Sequence, residues 1–394
     1  MKPCVVLYTH SAVLAPALSL AHALSRGADC HLLLELGPSA WQMELLDSVP
    51  ERSWSGIIPA EPVIGHAFPE AVRAMWRSLA SFHLVSHDTT RAIHPSSWRL
   101  SRRVARFIRS LQPDVVHFDD VSKRMLPALP GLNGVPVVLS LHDPTFHAGE
   151  VSWRGDLVRR MLLRRAQRVI LHNRALLDPF RARYRVAPER ISIVRLGVYR
   201  LARAWSAGSV CDDASNVLFF GRLSAYKGLD VLYEAMPAVA QRVPNAQFTI
   251  AGQAVNGYQL PRPPQRVRLE VCRRYIPNGE AARLFERSSV VVCPYREATQ
   301  SGVALTAYAF EKPVVPSAAG GLPEYVHPGE TGLLAPPGDA AALADALVDV
   351  LSDADLRHRL SAGIRRLGHS DLNWSRAAED TLAVYREAMR SVTK

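Results

Sequence analysis

Asn216-Val217-Leu218-Phe219-Phe220-Gly221-Arg222-Leu223-Ser224-Ala225-Tyr226-Lys227-Gly228 reads as a strand, a loop and the entry to a helix. The run at 217–220 is apolar without alternation, which suits a strand covered on both faces. Gly221 breaks the run, and apolar residues at helical spacing resume over 228–240. Arg222 and Lys227 lie five residues apart on the strand-end loop, so both can close on one polyanion. Arginine brings a planar fork for phosphate and lysine a compact charge. A solvated loop with incidental charge is the other reading of the same spacing.

The unit recurs. Apolar runs lie at 5–8, 31–34, 115–118, 137–141, 169–172 and 191–195 in the first half, and at 216–220, 247–251, 266–271, 290–293, 314–317 and 332–335 in the second. Alternation of such runs with amphipathic stretches predicts an α/β fold with parallel sheets between helices. The chain has 394 residues, and single cores stop growing at about 250–300. Two doubly wound, Rossmann-like domains facing across a cleft are therefore expected. Periodicity lapses over 199–214, which puts the boundary there. The chain ends in helices at 340–351, 354–367 and 375–391.

Composition narrows the class. Hydrophobic residues make up 48% and charged ones 21%, which excludes a disordered chain, a collagen and a disulfide scaffold. Cys4, Cys30, Cys211, Cys272 and Cys293 are scattered without a CxxC pair, so neither a disulfide framework nor a zinc site is expected, and a reducing compartment fits. No charge lies between Lys2 and Arg26. Thr9, His10, Ser11 and Pro16 interrupt that stretch, so it predicts a strand, a turn at 9–12 and a helix at 15–24 rather than a secretory leader or a membrane span.

Residues 1–200 carry 26 Lys and Arg against 16 Asp and Glu, while residues 201–394 carry 21 against 20. A basic first half calls for an anionic partner. Arg73, Arg77, Arg91, Arg99, Arg102, Arg103, Arg106 and Arg109 mix with Trp76, Phe82, Trp98 and Phe107, and six arginines over 154–168 surround Trp153, Leu157, Met161 and Leu162. Basic amphipathic stretches with aromatics fit the surface of an anionic membrane. Solvated helix faces are the plainer reading. No nucleic-acid-binding motif appears, so no nucleic acid is expected.

A second constellation follows the run at 290–293: Pro294-Tyr295-Arg296-Glu297-Ala298-Thr299-Gln300-Ser301-Gly302-Val303. Ser301, Gly302 and Val303 open a helix of small residues. Glycine lets a ligand approach the backbone, and unspent N–H groups at a helix start bind phosphate. Ser301 could equally be an N-cap alone. Glu297 suits sugar hydroxyls, or is a surface carboxylate. There is no Gly-x-x-x-x-Gly-Lys-Ser/Thr, which excludes a P-loop ATPase. Asp119-Asp120 and Asp212-Asp213 are adjacent pairs rather than a strand-end Asp-x-Asp. No bound metal is expected, since Arg222 and Lys227 could neutralise a diphosphate.

Further blocks complete a pattern: Ala251-Gly252, Tyr275-Ile276-Pro277, Lys312-Pro313-Val314-Val315, Gly320-Gly321-Leu322-Pro323-Glu324, Gly329-Glu330-Thr331-Gly332 and Pro337-Gly338-Asp339. In the first half stand Asp114-Val115-Val116-His117, Ser140-Leu141-His142-Asp143-Pro144 and the run into His172. In this order the chain resembles the GT-B glycosyltransferases of family 4 (group 1), a retaining family that uses nucleotide-diphosphate sugars. The resemblance implies an acceptor-side domain over 1–199, a nucleotide-sugar domain over 200–374 and a helix, 375–394, packing back on the first domain.

It implies hexosyl transfer from a nucleotide-diphosphate donor to a glycan or lipid-linked acceptor hydroxyl, in bacterial exopolysaccharide, lipopolysaccharide or glycolipid assembly. The setting is cytoplasmic, at the inner face of the plasma membrane. Arg222, Lys227 and the N–H groups at Ser301, Gly302 and Val303 would hold the diphosphate. Glu297 would hold sugar hydroxyls, and His142 the sugar or acceptor. His10, Ser11 and Asp143 would form the acceptor or sugar loop, with Ile276 and Thr306 at the nucleoside. The family carries two glutamates eight apart; counting back from Lys312 puts the second at Thr306 and the first one residue beyond Glu297, so the second carboxylate is missing here. A sugar-nucleotide epimerase or a phosphorylase on the same fold is the alternative.

Overall fold

A computed structural model describes residues 2–38, 54–145, 153–206, 208, 215–255 and 257–392. Its first sheet holds β1 (Cys4–His10), β2 (Asp29–Leu36), β3 (Gly56–Pro59), β4 (Ser81–Ser86), β5 (Val115–Asp119), β6 (Val137–Leu141), β7 (Arg168–Leu171) and β8 (Ile191–Ile193). The spatial order is β3-β4-β2-β1-β5-β6-β7-β8. Only β3 runs antiparallel to its neighbour. The second sheet is parallel throughout: β9 (Asn216–Phe220), β10 (Gln247–Ala251), β11 (Arg268–Cys272), β12 (Val290–Cys293) and β13 (Val314–Pro316), in the order β11-β10-β9-β12-β13.

Helices cover both sheets. Around the first lie α1 (Leu14–Leu24), α2 (Glu61–Ile64), α3 (Glu70–Arg77), α4 (Pro95–Ser110), α5 (Trp153–Arg165) and α6 (Leu177–Tyr184). Around the second lie α7 (Leu229–Arg242), α8 (Asn278–Arg287), α9 (Gly302–Ala309), α10 (Ala340–Ser352) and α11 (Ala354–His369); α12 (Trp374–Arg390) ends the chain. Alternate residues of the first sheet point into two cores. Val5, Leu7 and Val115 meet α1 and α12, while Val6, Val116 and Leu139 meet α4, α5 and α6. This is the two-sided burial that unbroken Val/Leu runs anticipate.

Strand order fixes where a ligand can sit. Winding reverses between β1 and β5 in the first sheet, and between β9 and β12 in the second. Ligands of open α/β sheets bind beyond the carboxyl ends of strands at such switch points. In this chain those ends lead into 9–12, 119–122, 221–228 and 294–303.

The last helix crosses over. Val198 N–H donates to Leu372 O at 3.0 Å, and the Trp374 indole N–H donates to Val198 O at 2.8 Å. Ala377, Ala378, Val384, Tyr385 and Ala388 of α12 are then buried in the first domain's core beside α1. Tyr385 Oη lies 2.8 Å from His117 Nδ1, and Ser140 Oγ lies 2.7 Å from His117 Nε2. Burial pushes His117 down to about 4, so the ring is neutral at pH 7. Tyr385→Phe leaves one buried ring nitrogen unsatisfied, and costs about 2 kcal/mol of stability, read as a lower urea midpoint at unchanged slope.

The expected elements need four corrections. β3 and β4 carry no long apolar run: Ser81, His83 and Ser86 interrupt β4, and β3 is a four-residue edge strand ending in Pro59. β1 extends through His10, and a short 3-10 turn at Ser11–Val13 replaces the turn at 9–12. Residues 332–335 make only isolated bridges, Gly332 to Val314 and to Pro328 and Ala335 to Ser317, following a turn in which Thr331 Oγ1 accepts from His327 N–H. In the basic half, Trp76 and Leu162 are core residues, while Arg73 and Arg77 are paired with Glu70 and Glu61. Cys211, Asp212 and Asp213 lie outside the described residues; Cys4, Cys30, Cys272 and Cys293 are free thiols.

Candidate functional site

The two loops picked out in the second half converge. A Cβ on Gly221 would lie 3.3 Å from Val303 Cγ2 and 3.8 Å from Lys227 Nζ. Arg296 N–H donates to Tyr226 O at 2.8 Å, bonding one loop to the other. Gly228 stands at φ +65°, and a Cβ there would lie 1.9 Å from Pro294 O. Only glycine fits that contact. Gly228→Ala is therefore expected to cost about 3 kcal/mol, since it pushes the loops apart; urea unfolding reads it as a lower midpoint.

Lys227 is 9% exposed. Its Nζ donates to Tyr295 Oη at 2.9 Å and sits 4.2 Å above the Tyr295 ring. Arg222, from the same loop, is exposed. Ser301 caps α9 by accepting from Ala304 N–H at 3.3 Å. That uses the hydroxyl and leaves the first-turn amides of Gly302 and Val303 at the carboxyl end of β12. Thr306, in the next turn, donates to Gly302 O at 2.8 Å, so its lone pairs remain the part able to meet a ligand. Glu297 is exposed, and Ile276 is buried in the second domain's core, where a ligand would meet its backbone rather than its side chain.

The first domain contributes a buried charge pair. His142 Nε2 lies 2.9 Å from Asp119 Oδ1, both side chains 4% exposed. Burial opposes charge on His142, yet Asp119 outweighs it and raises the ring to about 9. Burial likewise works against the Asp119 carboxylate, but His142 holds it down to about 2. Thr9 Oγ1 also donates to Asp119, at 3.3 Å. His142 is then a cation at pH 7 with two N–H groups. One goes to Asp119; Nδ1 is buried with no hydrogen-bond partner. The His172 ring lies 4.7 Å away, driven down to about 3 by its burial and by the His142 charge. His10 Nε2 is 3.9 Å from Asp120 Oδ2, beyond hydrogen-bond reach, and Ser11 is buried at the end of β1.

The carboxyl rims of the sheets meet. Thr299, beyond β12, donates its hydroxyl to Asp143, beyond β6. Asn173 Nδ2 donates to Thr299 O at 2.7 Å. Glu324 Oε1 accepts the N–H groups of Arg174 at 2.8 Å and Ala175 at 2.6 Å. Residues 142–143 and 297–303 thus border one junction. Asp119, Thr299 and Glu324 stand in stretches quoted from the sequence but, like Asn173, carry no site role there. Asp119 had a signal: it ends β5, and His142 follows β6, the strand that pairs with it in register Asp119 to Ser140.

Residues 17–199 match the family described as Glycosyltransferase Family 4, and residues 214–353 the family described as Glycosyl transferases group 1. A glycogen synthase of Mycobacterium tuberculosis is 29% identical over 294 residues, 72% of this chain and 70% of that one. Among solved structures, the sucrose-phosphate synthase of Thermosynechococcus elongatus superposes with a TM-score of 0.66 at 17% identity, covering 99% of this chain and 100% of that one. HepE of Anabaena, in complex with UDP and glucose, gives 0.65 at 16% identity, covering 97% and 99%. These two likenesses establish the GT-B fold.

Proposed function

The chain belongs to the family 4, group 1 glycosyltransferases, and from that premise we propose that it moves a hexosyl group from a nucleotide-diphosphate sugar to an acceptor hydroxyl with retained anomeric configuration. The single observation that carries the reading is the convergence of Lys227, Gly221 and Val303 at the switch point between β9 and β12. The solved likeness with UDP and glucose bound, HepE, supports a nucleoside diphosphate as the leaving group.

In this reading the bond from the anomeric carbon to the diphosphate oxygen breaks, a bond from that carbon to the acceptor oxygen forms, and the acceptor's hydroxyl proton passes to the departing diphosphate. Negative charge grows on the departing diphosphate. Arg222, Lys227 and the amides at Ser301, Gly302 and Val303 meet it without reorganising, and fixed charge of this kind usually lowers the barrier more than any other single effect. The His142 Nδ1–H, unspent in the fold, meets an oxygen of the sugar or acceptor. Glu297 orders sugar hydroxyls, Ile276 and Thr306 the nucleoside, and His10, Ser11 and Asp143 the acceptor. Fixed cations supply the charge, so the mechanism calls for no metal. The acceptor is a glycan or lipid-linked hydroxyl, and the reaction belongs to exopolysaccharide, lipopolysaccharide or glycolipid assembly in the cytoplasm. No helix among the described residues is long and apolar enough to cross a membrane.

The test is a panel of nucleotide-diphosphate sugars with candidate acceptors, following nucleoside diphosphate release and the product's anomeric signals by NMR. Acceptor-dependent release with retained configuration is expected. An epimerised donor formed without any acceptor would overturn the reading.

A further inference from the structure

Two helices of the first domain carry a surface that sugar transfer does not use. Leu100, Val104 and Ile108 of α4 and Val158 and Leu162 of α5 share one core, so both helices lie on the same face of the first sheet. On α5, Trp153, Leu157 and Met161 recur every fourth residue and form one stripe. They are 71%, 52% and 43% exposed. At the start of α4, Ile93 and Trp98 are exposed as well. The segment Lys123–Leu132 packs on both helices, and apolar side chains lined along a solvent-facing helix mark an interaction site.

The charge around them is one-sided. α4 holds five arginines and no acid. Among the described residues, no carboxylate pairs with Arg99, Arg102, Arg103, Arg106, Arg154 or Arg164. Arg160 shows the contrast: Asp156 holds it at 2.9 Å. α4 follows β4 and α5 follows β6 in the chain.

We infer that this face of α4 and α5 docks the protein on an anionic lipid bilayer, arginines against lipid phosphates and Trp98, Trp153, Leu157 and Met161 in the interfacial layer. A nucleic acid would engage the arginines but leave the apolar stripe wet, so lipid is the occupant the surface fits. Each arginine near an anionic surface multiplies partitioning about fivefold, and each buried methylene about fourfold. Arg159 Nη1 donates to Pro144 O at 2.9 Å and ties α5 to the segment carrying His142 and Asp143. Docking therefore turns that segment toward lipid headgroups; the use of this for a lipid-linked acceptor rests on the transfer reading, whereas docking itself does not.

The experiment is sedimentation of the full chain with vesicles of phosphatidylcholine alone and of phosphatidylcholine mixed with phosphatidylglycerol. The mixed vesicles should bind at least about tenfold better, and added salt should reverse this. A Leu157→Ser, Met161→Ser variant and an Arg102→Glu, Arg103→Glu variant should each lose about tenfold or more in partitioning, with unchanged melting temperature because the side chains are exposed. Equal binding to both vesicles, or wild-type binding by both variants, overturns the proposal. So does capture by a DNA duplex with no vesicle binding. Donor turnover is read on the same samples. Wild-type protein that turns over donor but binds neither vesicle removes the docking inference alone; wild-type protein that binds the mixed vesicles but turns over no donor removes the transfer reading alone.

Discussion

If the proposed transfer holds, Lys227→Met is expected to turn over donor about 10²–10³-fold more slowly than the wild type, and Arg222→Ala to fall by a comparable factor, because each would remove one fixed charge from the departing diphosphate. Methionine matches the lysine stem in length and flexibility, so packing against Tyr226 and Tyr295 persists while the ammonium goes. Lys227 is nearly buried, and holding a charge there costs folding energy. The Lys227→Met protein is therefore as stable as the wild type or more so. Arg222 is exposed, and its loss moves stability by no more than about 0.5 kcal/mol. Steady-state kcat and KM, with melting temperature alongside, check both. A slow enzyme that melts at the wild-type temperature is the expected pair of readings.

Asp119→Asn has the second large effect, and it is a pH effect. In the wild type the folded pKa of His142 stands at about 9 against an ordinary 6.5. A group raised in this way stabilises the fold fully below its unfolded pKa and loses that contribution as pH climbs through the folded value. The His142 share is thus whole below pH 6.5 and gone above about 9. Asp119 has the opposite sign: lowered from 3.8 to about 2, its share is present above 3.8 and lost on acidification through about 2. Across the alkaline window the wild type should lose about 2–3 kcal/mol of stability, and Asp119→Asn should show no such slope.

On the proposed reading, activity follows the same charge. Without Asp119 the largest attraction holding the His142 ring charged is gone, and burial pulls its pKa down, so the ring would no longer present a fixed cationic Nδ1–H to substrate. We expect kcat/KM to fall by about 10²-fold and its alkaline limb to move down by more than about one pH unit. Urea unfolding and initial rates across that window read both. A pure packing role for Asp119 would lower stability equally at every pH and leave the limb where it was.

Much of the fold is legible in the residues themselves. The Val/Leu/Phe runs ending in Gly221 and Pro294 mark β9 and β12, and the two loops behind them meet as their strand-end position requires. β3 and β4 are not legible, because a short edge strand and a strand broken by Ser81 and His83 show no unbroken apolar run. The Asp119–His142 pair needs the neighbour relation of β5 and β6, which no local pattern contains. Charge alone misleads at α3: Arg73 and Arg77 look like part of a basic surface but are spent on Glu70 and Glu61. The exposed stripe of α5 separates from buried Leu162 only once the helix's packing face is known.

If the 221–228 loop and the start of α9 form a diphosphate clamp, the second phosphate must be worth binding energy. Calorimetric titration of nucleoside diphosphates against the matching monophosphates, on the wild type and on Arg222→Ala, Lys227→Met, tests this most directly. The wild type is expected to prefer the diphosphate by about tenfold or more and the double variant to bind both alike, since one well-placed charged contact is worth about 1.5–3 kcal/mol. Equal affinity of the wild type for the two, or an undiminished preference in the double variant, would contradict the clamp.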